Sequence, residues 1–365
     1  MVTARWDNVL VLQTSYLGDT VLTLPLLAEI KRRFPREKLT FFCSPQGKQL
    51  AENSAAVDDI IVDDKKGADR GWSGLWRQAL RLRQMAFTLA LTPHKSFRSA
   101  LILYFAGIPC RVGFRQSKGW FLFNRLVHRP SELHDIERNL SLLGAFGIPI
   151  EDCERRFELR EAYPGDTAVS PEFEVINASR DRLRVGVNPG SVWATKRWDK
   201  EGYATLIKML QARWNCEVVI FGGPEDTQIA SAMAADVGSN CLNFAGKFTL
   251  GELPGALASC DVFVTNDSGP MHIAVARGVP TVALFCATTP GLGFYPYSAD
   301  AVIVQKNLHC RPCGTHGGRR CPLGTADCIR LIEPAHVLQA VEQLLKRRAG
   351  DKVPDSGYEP EFLIV

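Results

Sequence analysis

Short β-branched and apolar runs alternate along this chain with longer segments whose apolar residues recur at helical spacing. Asn8–Gln13 reads as a buried parallel strand. Leu22, Leu26, Leu27, Ile30 and Phe34 then mark one face of a helix that opens at Asp19 and stops near Pro35. Leu39–Cys43, Ile60–Val62 and Phe87–Leu91 read as further strands, separated by helix-length segments. The alternation then restarts. Arg184–Asn188, Glu217–Phe221, Val262–Thr265 and Thr281–Phe285 read as strands, with helices over Glu201–Trp214, Glu225–Val237, Leu250–Ser259 and Met271–Arg277. Such βαβ alternation predicts doubly wound parallel sheets, and its restart predicts two Rossmann-like halves with a cleft between them. The first half takes 1–165, a polar linker with Pro and Gly takes 166–182, and the second half takes 183–333. A helix over 334–348 and a mobile tail at 349–365 complete the chain.

The length of 365 residues suits two domains. With 46% apolar and 22% charged residues, the composition is that of a globular protein and excludes a disordered or fibrous one. A net charge of +4 does not predict nucleic-acid binding, although it allows a local basic patch. The longest apolar stretch, Ala100–Ile108, is about half of what a spanning helix needs. Val9–Leu12 follows Arg5 and Asp7 and runs into Ser15–Asp19 without a small-residue cleavage site, which argues against a signal peptide. A cytoplasmic location is expected.

Ligands in such sheets sit beyond the carboxyl ends of the strands, so the loops there carry the candidate chemistry. After the first strand come Gly18 and Asp19; position favours Asp19 as a helix-capping carboxylate, and the sharper alternative is a general base. The loop lacks the G-x-G-x-x-G fingerprint. Asn188-Pro189-Gly190-Ser191 opens the second half, followed by Lys196 and Arg197 between Trp193 and Trp198, a basic loop suited to an anion. In Gly222-Gly223-Pro224-Glu225, the glutamate could accept from ribose hydroxyls or simply favour a helix start. Thr265-Asn266-Asp267-Ser268-Gly269-Pro270-Met271-His272 runs a strand into a glycine, a proline at the first helical position and then a helix, a ready phosphate site with His272 on its first turn.

Together these motifs resemble glycosyltransferase family 9, the ADP-heptose:lipopolysaccharide heptosyltransferases. The resemblance runs from Val9 to Leu345, and Lys95–Ser99 with Phe105–Phe114 is most similar to the heptosyltransferase II branch. It implies a GT-B α/β fold and inverting transfer of heptose from ADP-heptose to the lipopolysaccharide inner core, with no metal needed for chemistry. Asp19 matches the family's candidate base. Lys196 would serve catalysis, and with Gly190, Ser191, Arg197, Ser268 and Gly269 would hold the leaving pyrophosphate. Glu225 matches the ribose contact, Phe248 the apolar contact to adenine, and Asp267 and His272 lie in the donor loop. Gly18, Lys95, Arg98, Arg111 and Arg115, with Lys118, are the expected acceptor-binding residues, suited to the carboxylates and phosphates of a lipid-linked core. Asn188 stands where relatives often have histidine, and Asp199 where many have proline.

Trp72, Trp76, Trp120, Phe121 and Phe123 punctuate basic stretches, so the first half could lie peripherally on the cytoplasmic face of the inner membrane, or these rings could be core. Cys310, Cys313, Cys321 and Cys328 cluster in a loop over 309–328, and their spacing admits a structural zinc as well as free thiols or a redox pair. Two alternatives stand beside the heptosyltransferase reading. One is a same-fold enzyme using another nucleotide sugar in outer-core or O-antigen assembly; the other is a zinc-bearing nucleic-acid-binding protein, against which the near-neutral charge argues.

Overall fold

The structure, a computed structural model, describes residues 6–155, 159, 169–178, 180–238, 240–349 and 358–365. The chain divides into two compact units, Met1–Arg160 and Glu161–Val365. In the first, six strands run in the order β3-β2-β1-β4-β5-β6: β1 (Asn8–Gln13), β2 (Lys38–Cys43), β3 (Asp59–Val62), β4 (Leu89–Thr92), β5 (Cys110–Phe114) and β6 (Arg125–Val127). All neighbours pair in parallel. Helices cover both faces of β1, so Val9, Leu10, Val11 and Leu12 are all buried. This accounts for the strand's continuous rather than alternating apolar pattern.

The second unit repeats the winding with an additional strand, in the order β13-β12-β11-β10-β7-β8-β9. Its strands are β7 (Arg184–Asn188), β8 (Glu217–Ile220), β9 (Cys241–Asn243), β10 (Val262–Asn266), β11 (Thr281–Phe285), β12 (Ala301–Gln305) and β13 (Glu361–Ile364). Every pair is parallel. One core face gathers Val185, Val187, Trp198, Tyr203, Leu206 and Val341. Trp198 is fixed by both of its nitrogens, its indole N–H donating to the Ile332 carbonyl at 2.9 Å and its amide to Asn266 Oδ1 at 2.9 Å.

Two expectations change at the edges. The stretch read as a linker holds a short helix, Pro171–Asn177, capped by Ser170 Oγ, which accepts from the Phe173 amide at 3.2 Å. The end of the tail is not loose chain. Glu361–Ile364 pairs with β12, Arg347 bridges Glu361, and Tyr358 stacks on Tyr297 with ring centroids 4.5 Å apart. The segment 350–357 lies outside the described residues.

Gly74 lies in the helix Gly71–Gln84, where a Cβ would stand 2.1 to 2.5 Å from the Asp69 backbone. Backbone cannot retreat as a side-chain tip does, so Gly74→Ala is expected to destabilise the first unit by about 1–3 kcal/mol. Denaturant unfolding of the variant would show this as a lower midpoint.

Candidate functional site

In each sheet the winding reverses once, between β1 and β4 and between β7 and β10. At such a point the flanking helices leave to opposite faces and a crevice opens at the carboxyl ends of the strands. The residues picked out from the sequence gather largely at these two places.

In the second unit the loops after β7 and β10 are tied together by side-chain amides. Asn188 Nδ2 donates to Thr265 Oγ1 at 3.2 Å and Ser268 Oγ at 3.3 Å, and Asn266 Nδ2 donates to the Pro189 carbonyl at 2.8 Å. Lys196, in the turn Ala194–Lys196, places its ammonium 2.6 Å from Asp267 Oδ2, and both side chains are nearly buried. Thr288 Oγ1 donates to the same carboxylate oxygen at 2.6 Å. Ser268 is the N-cap of the helix Gly269–Ala276, whose positive end faces the loop. His272, buried on its first turn, is pushed down to about 4 by burial, with Lys196 adding to the fall and Asp267 opposing it. It is therefore a neutral ring at pH 7.

Arg197 is pinned to this loop through its Nε, which donates to the Ser191 carbonyl at 2.6 Å. At Gly190 a Cβ would meet Asp226 Oδ2 at 2.1 Å, so any larger residue there requires the Asp226 carboxylate to shift. Glu225 is exposed and folds back over Gly223, where a Cβ would meet its Oε2 at 2.7 Å. Its neighbour Asp226, which sequence reasoning missed, is buried; its Oδ2 accepts the Gly223 amide at 3.0 Å and its Oδ1 has no hydrogen-bond partner among the described residues. Burial raises its pKa. Phe248 packs half-buried between Phe221 and Phe244, with ring centroids 5.9 and 5.4 Å away. Asp199, at the departure from the family pattern, caps the helix Lys200–Trp214 by accepting the Gly202 amide at 2.6 Å. It thereby does the helix-starting work of a proline.

In the first unit Gly18 and Asp19 lie in the first turn of the helix Leu17–Arg33. Asp19 Oδ2 accepts the Tyr16 amide at 3.1 Å, so the capping role is realised. Around it stand groups from the ends of other strands. Lys65 follows β3 and Lys95 follows β4; partial burial lowers both ammonium pKa values, and the Asp19 charge opposes both falls. Asp135 begins the helix Asp135–Leu140 and is bridged by Arg129 and, at 3.6 Å, by Arg138. Burial raises its carboxyl, against the pull of Arg129. His94 is pushed to about 4 by burial and contacts Ser99 Oγ at 2.9 Å through Nδ1. Arg115 is exposed just beyond β5.

Two of the expected acceptor contacts are placed otherwise. Arg98 is a cross-brace, donating to both Asp63 oxygens and to the Gly71 and Asp69 carbonyls. Arg111 lies near the start of β5, at the opposite end of the sheet from Asp19, and donates to the Leu122 and Ile108 carbonyls. Sequence spacing revealed neither tie, because both depend on which strand ends meet in space. Phe123 is 6% exposed and belongs to the core, whereas Trp72, Trp76, Trp120 and Phe121 are exposed.

Among the described residues no three His, Cys, Asp or Glu side chains are grouped to hold a metal ion. Cys310, Cys313, Cys321 and Cys328 lie within electrostatic reach of one another but differ in burial. Cys328 is buried and pushed to about 11, while Cys321 sits among the backbone N–H groups of Ala326, Leu323, Gly324 and Thr325, which lower it.

With this geometry in view, residues 75–321 match the sequence model of glycosyltransferase family 9 (heptosyltransferase). The chain belongs to this family. It is a glycosyltransferase with a GT-B fold of two Rossmann-like units. Lipopolysaccharide heptosyltransferase 2 of Escherichia coli K12 is 27% identical over 292 residues, 78% of this chain and 84% of that protein. Lipooligosaccharide heptosyltransferase 2 of Campylobacter jejuni is 26% identical over 338 residues, 90% of this chain and 96% of that one. The solved structure of E. coli ADP-heptose LPS heptosyltransferase II superposes with a TM-score of 0.75 at 25% identity, covering 94% of this chain and 100% of that chain. No helix among the described residues is long and apolar enough to cross a membrane.

Buried His272 and half-buried His94 give a pH dependence of stability. Each has a folded value near 4 against about 6.5 unfolded, so between these values the unfolded chain binds more protons. Their contribution, up to roughly 3 kcal/mol each, is complete above about pH 6.5 and is lost as pH falls toward 4. Denaturant unfolding between pH 7 and 4.5 should show a shallower loss of stability in His94→Gln and His272→Gln than in the wild type.

Proposed function

We propose that this chain moves heptose from ADP-heptose to a sugar hydroxyl of the lipopolysaccharide inner core, with inversion and without a catalytic metal. The observation that carries the reading is the Lys196–Asp267 pair, 2.6 Å apart at the positive end of the helix Gly269–Ala276, in a chain of this family. As the anomeric C–O bond breaks, negative charge grows on the departing pyrophosphate. Lys196, Arg197, the Ser191 hydroxyl and the N-terminal end of that helix supply fixed positive charge and donors for it. Phe248 offers an apolar face for adenine and Glu225 acceptors for the ribose hydroxyls. The names of the E. coli relatives, which carry heptose and ADP-heptose, support this choice of donor.

Asp19 takes the proton of the acceptor hydroxyl while that oxygen attacks the anomeric carbon and ADP leaves. The carboxylate oxygen that accepts the Tyr16 amide holds the side chain in place, and the other oxygen serves as base. Lys65 and Lys95 beside it, with Arg129 on Asp135 and Arg115 at the end of β5, suit an acceptor bearing phosphates and carboxylates. Exposed Trp72, Trp76, Trp120 and Phe121, interspersed with arginines, support peripheral contact with the cytoplasmic membrane surface where a lipid-linked acceptor lies.

Transfer from ADP-heptose to a heptose-deficient core, assayed with EDTA present, tests the reading. Wild type should turn over, Asp19→Asn should lose about 10²–10⁴-fold in kcat while keeping ADP affinity, and Lys196→Ala should lose both. An Asp19→Asn enzyme as fast as wild type would remove the base assignment. Separately, sedimentation with anionic phospholipid vesicles should bring down the wild type and markedly less of a Trp72→Ser, Trp120→Ser double variant.

A further inference from the structure

The cysteine-bearing segment 306–326 reaches the Lys196–Asp267 pair from two sides. On one side it clamps the turn that carries Lys196. The Thr195 amide donates to the Gly318 carbonyl at 3.1 Å, and the Gly318 amide donates back to Thr195 Oγ1 at 2.8 Å. Gly317, at φ +76°, lies so close that a Cβ would stand 2.9 Å from Thr195 Oγ1 and 3.2 Å from Lys196 Cγ. His316 stacks on Trp193, with ring planes 10° apart.

On the other side the segment braces Asp267. The Cys313 amide donates to the Ala287 carbonyl at 2.8 Å, and Arg311 Nη2 donates to the Phe285 and Thr288 carbonyls at 2.8 and 2.5 Å. These bonds fix the turn after β11 from which Thr288 Oγ1 reaches Asp267. One segment therefore holds both members of the ion pair, each through a threonine next to the point of contact.

We infer that segment 306–326 is a positioning element for the donor's pyrophosphate, and that Thr195 and Thr288 are the positioning residues that set where the ammonium of Lys196 and the carboxylate of Asp267 stand. This rests on the proposed reading of that pair as the pyrophosphate site. An ammonium on a four-carbon stem gains little from its charge unless its stem is held, because a freely rotating one must be ordered at each binding event. The close approach of Gly317 to Lys196 Cγ supplies that hold, and the Thr288 hydroxyl keeps the carboxylate from swinging away.

The test uses the full chain as wild type, Thr195→Val, Thr288→Val, Gly317→Ala and the two Thr→Ser variants. ADP affinity is read by calorimetry, and acylation of Lys196 by an amine-reactive ester is read by peptide mass spectrometry. The Val and Ala variants should weaken ADP binding about tenfold or more and acylate Lys196 several-fold faster than the wild type, with other lysines unchanged. The Ser variants, which keep the hydroxyl, should restore both. Val variants that match wild type in ADP affinity and in Lys196 acylation would overturn the inference, as would Ser variants that fail to rescue. A wild type that binds no ADP would remove the donor assignment instead, and the acylation comparison would still decide the positioning.

Discussion

A parallel sheet wound outward from its middle in both directions can bring chain ends together at one place only, the seam where the winding turns. Here each unit has such a seam, β1 against β4 and β7 against β10, and candidate site residues gather at each. The helix after β1 begins at Leu17 and carries Asp19; the helix after β10 begins at Gly269 and carries His272. Both strands are buried on every residue from their second onward, which seats these helix starts at the seam on a strand packed on both faces.

Polar side chains at the second seam behave as a closed network rather than a collection of surface groups. Asn188 and Asn266 tie two loops that would otherwise be independent, and Tyr203 adds a bond to the Asn188 carbonyl at 3.1 Å. The single full charge pair in the network, Lys196 with Asp267, is accompanied by an imidazole that burial keeps neutral. A protonated His272 would place a second cation against Lys196, so its low pKa keeps the pair balanced. Low local dielectric strengthens such a network when every group is satisfied and penalises it when one is removed.

The central strands and their helices were legible because burial on both faces writes a continuous apolar run between glycine and proline signals, as in Val9–Leu12 and Val262–Val264. Three of the four edge strands were not, nor were the interior strands Cys110–Phe114 and Ala301–Gln305, whereas the edge strand Asp59–Val62 was. Arg125–Val127, Cys241–Asn243 and Glu361–Ile364 are three or four residues long and half-buried or exposed, so they carry too little pattern to separate from loop. Candidate residues adjacent to strand ends, such as Asp19, Lys196 and Asp267, could be found by counting from the strands. Those that reach the site from afar, Thr288, Arg311 and Gly318, could not, because only the fold brings residues that distant in sequence together. Asp226 was passed over for Glu225 because adjacent acids look alike in sequence, while the structure buries one and exposes the other.

The buried thiols have a consequence for how this protein ages. Cys43 and Cys260 are pushed up to about 12 by burial, and Cys286 is raised further. Since the thiolate is the reactive form, burial that raises a thiol's pKa leaves little of it at neutral pH. Oxidants that reach the folded chain find these sulfurs chemically silent. Oxidation at those three positions is therefore expected to follow local opening of the sheets, so the packing that stabilises the core also guards its sulfurs.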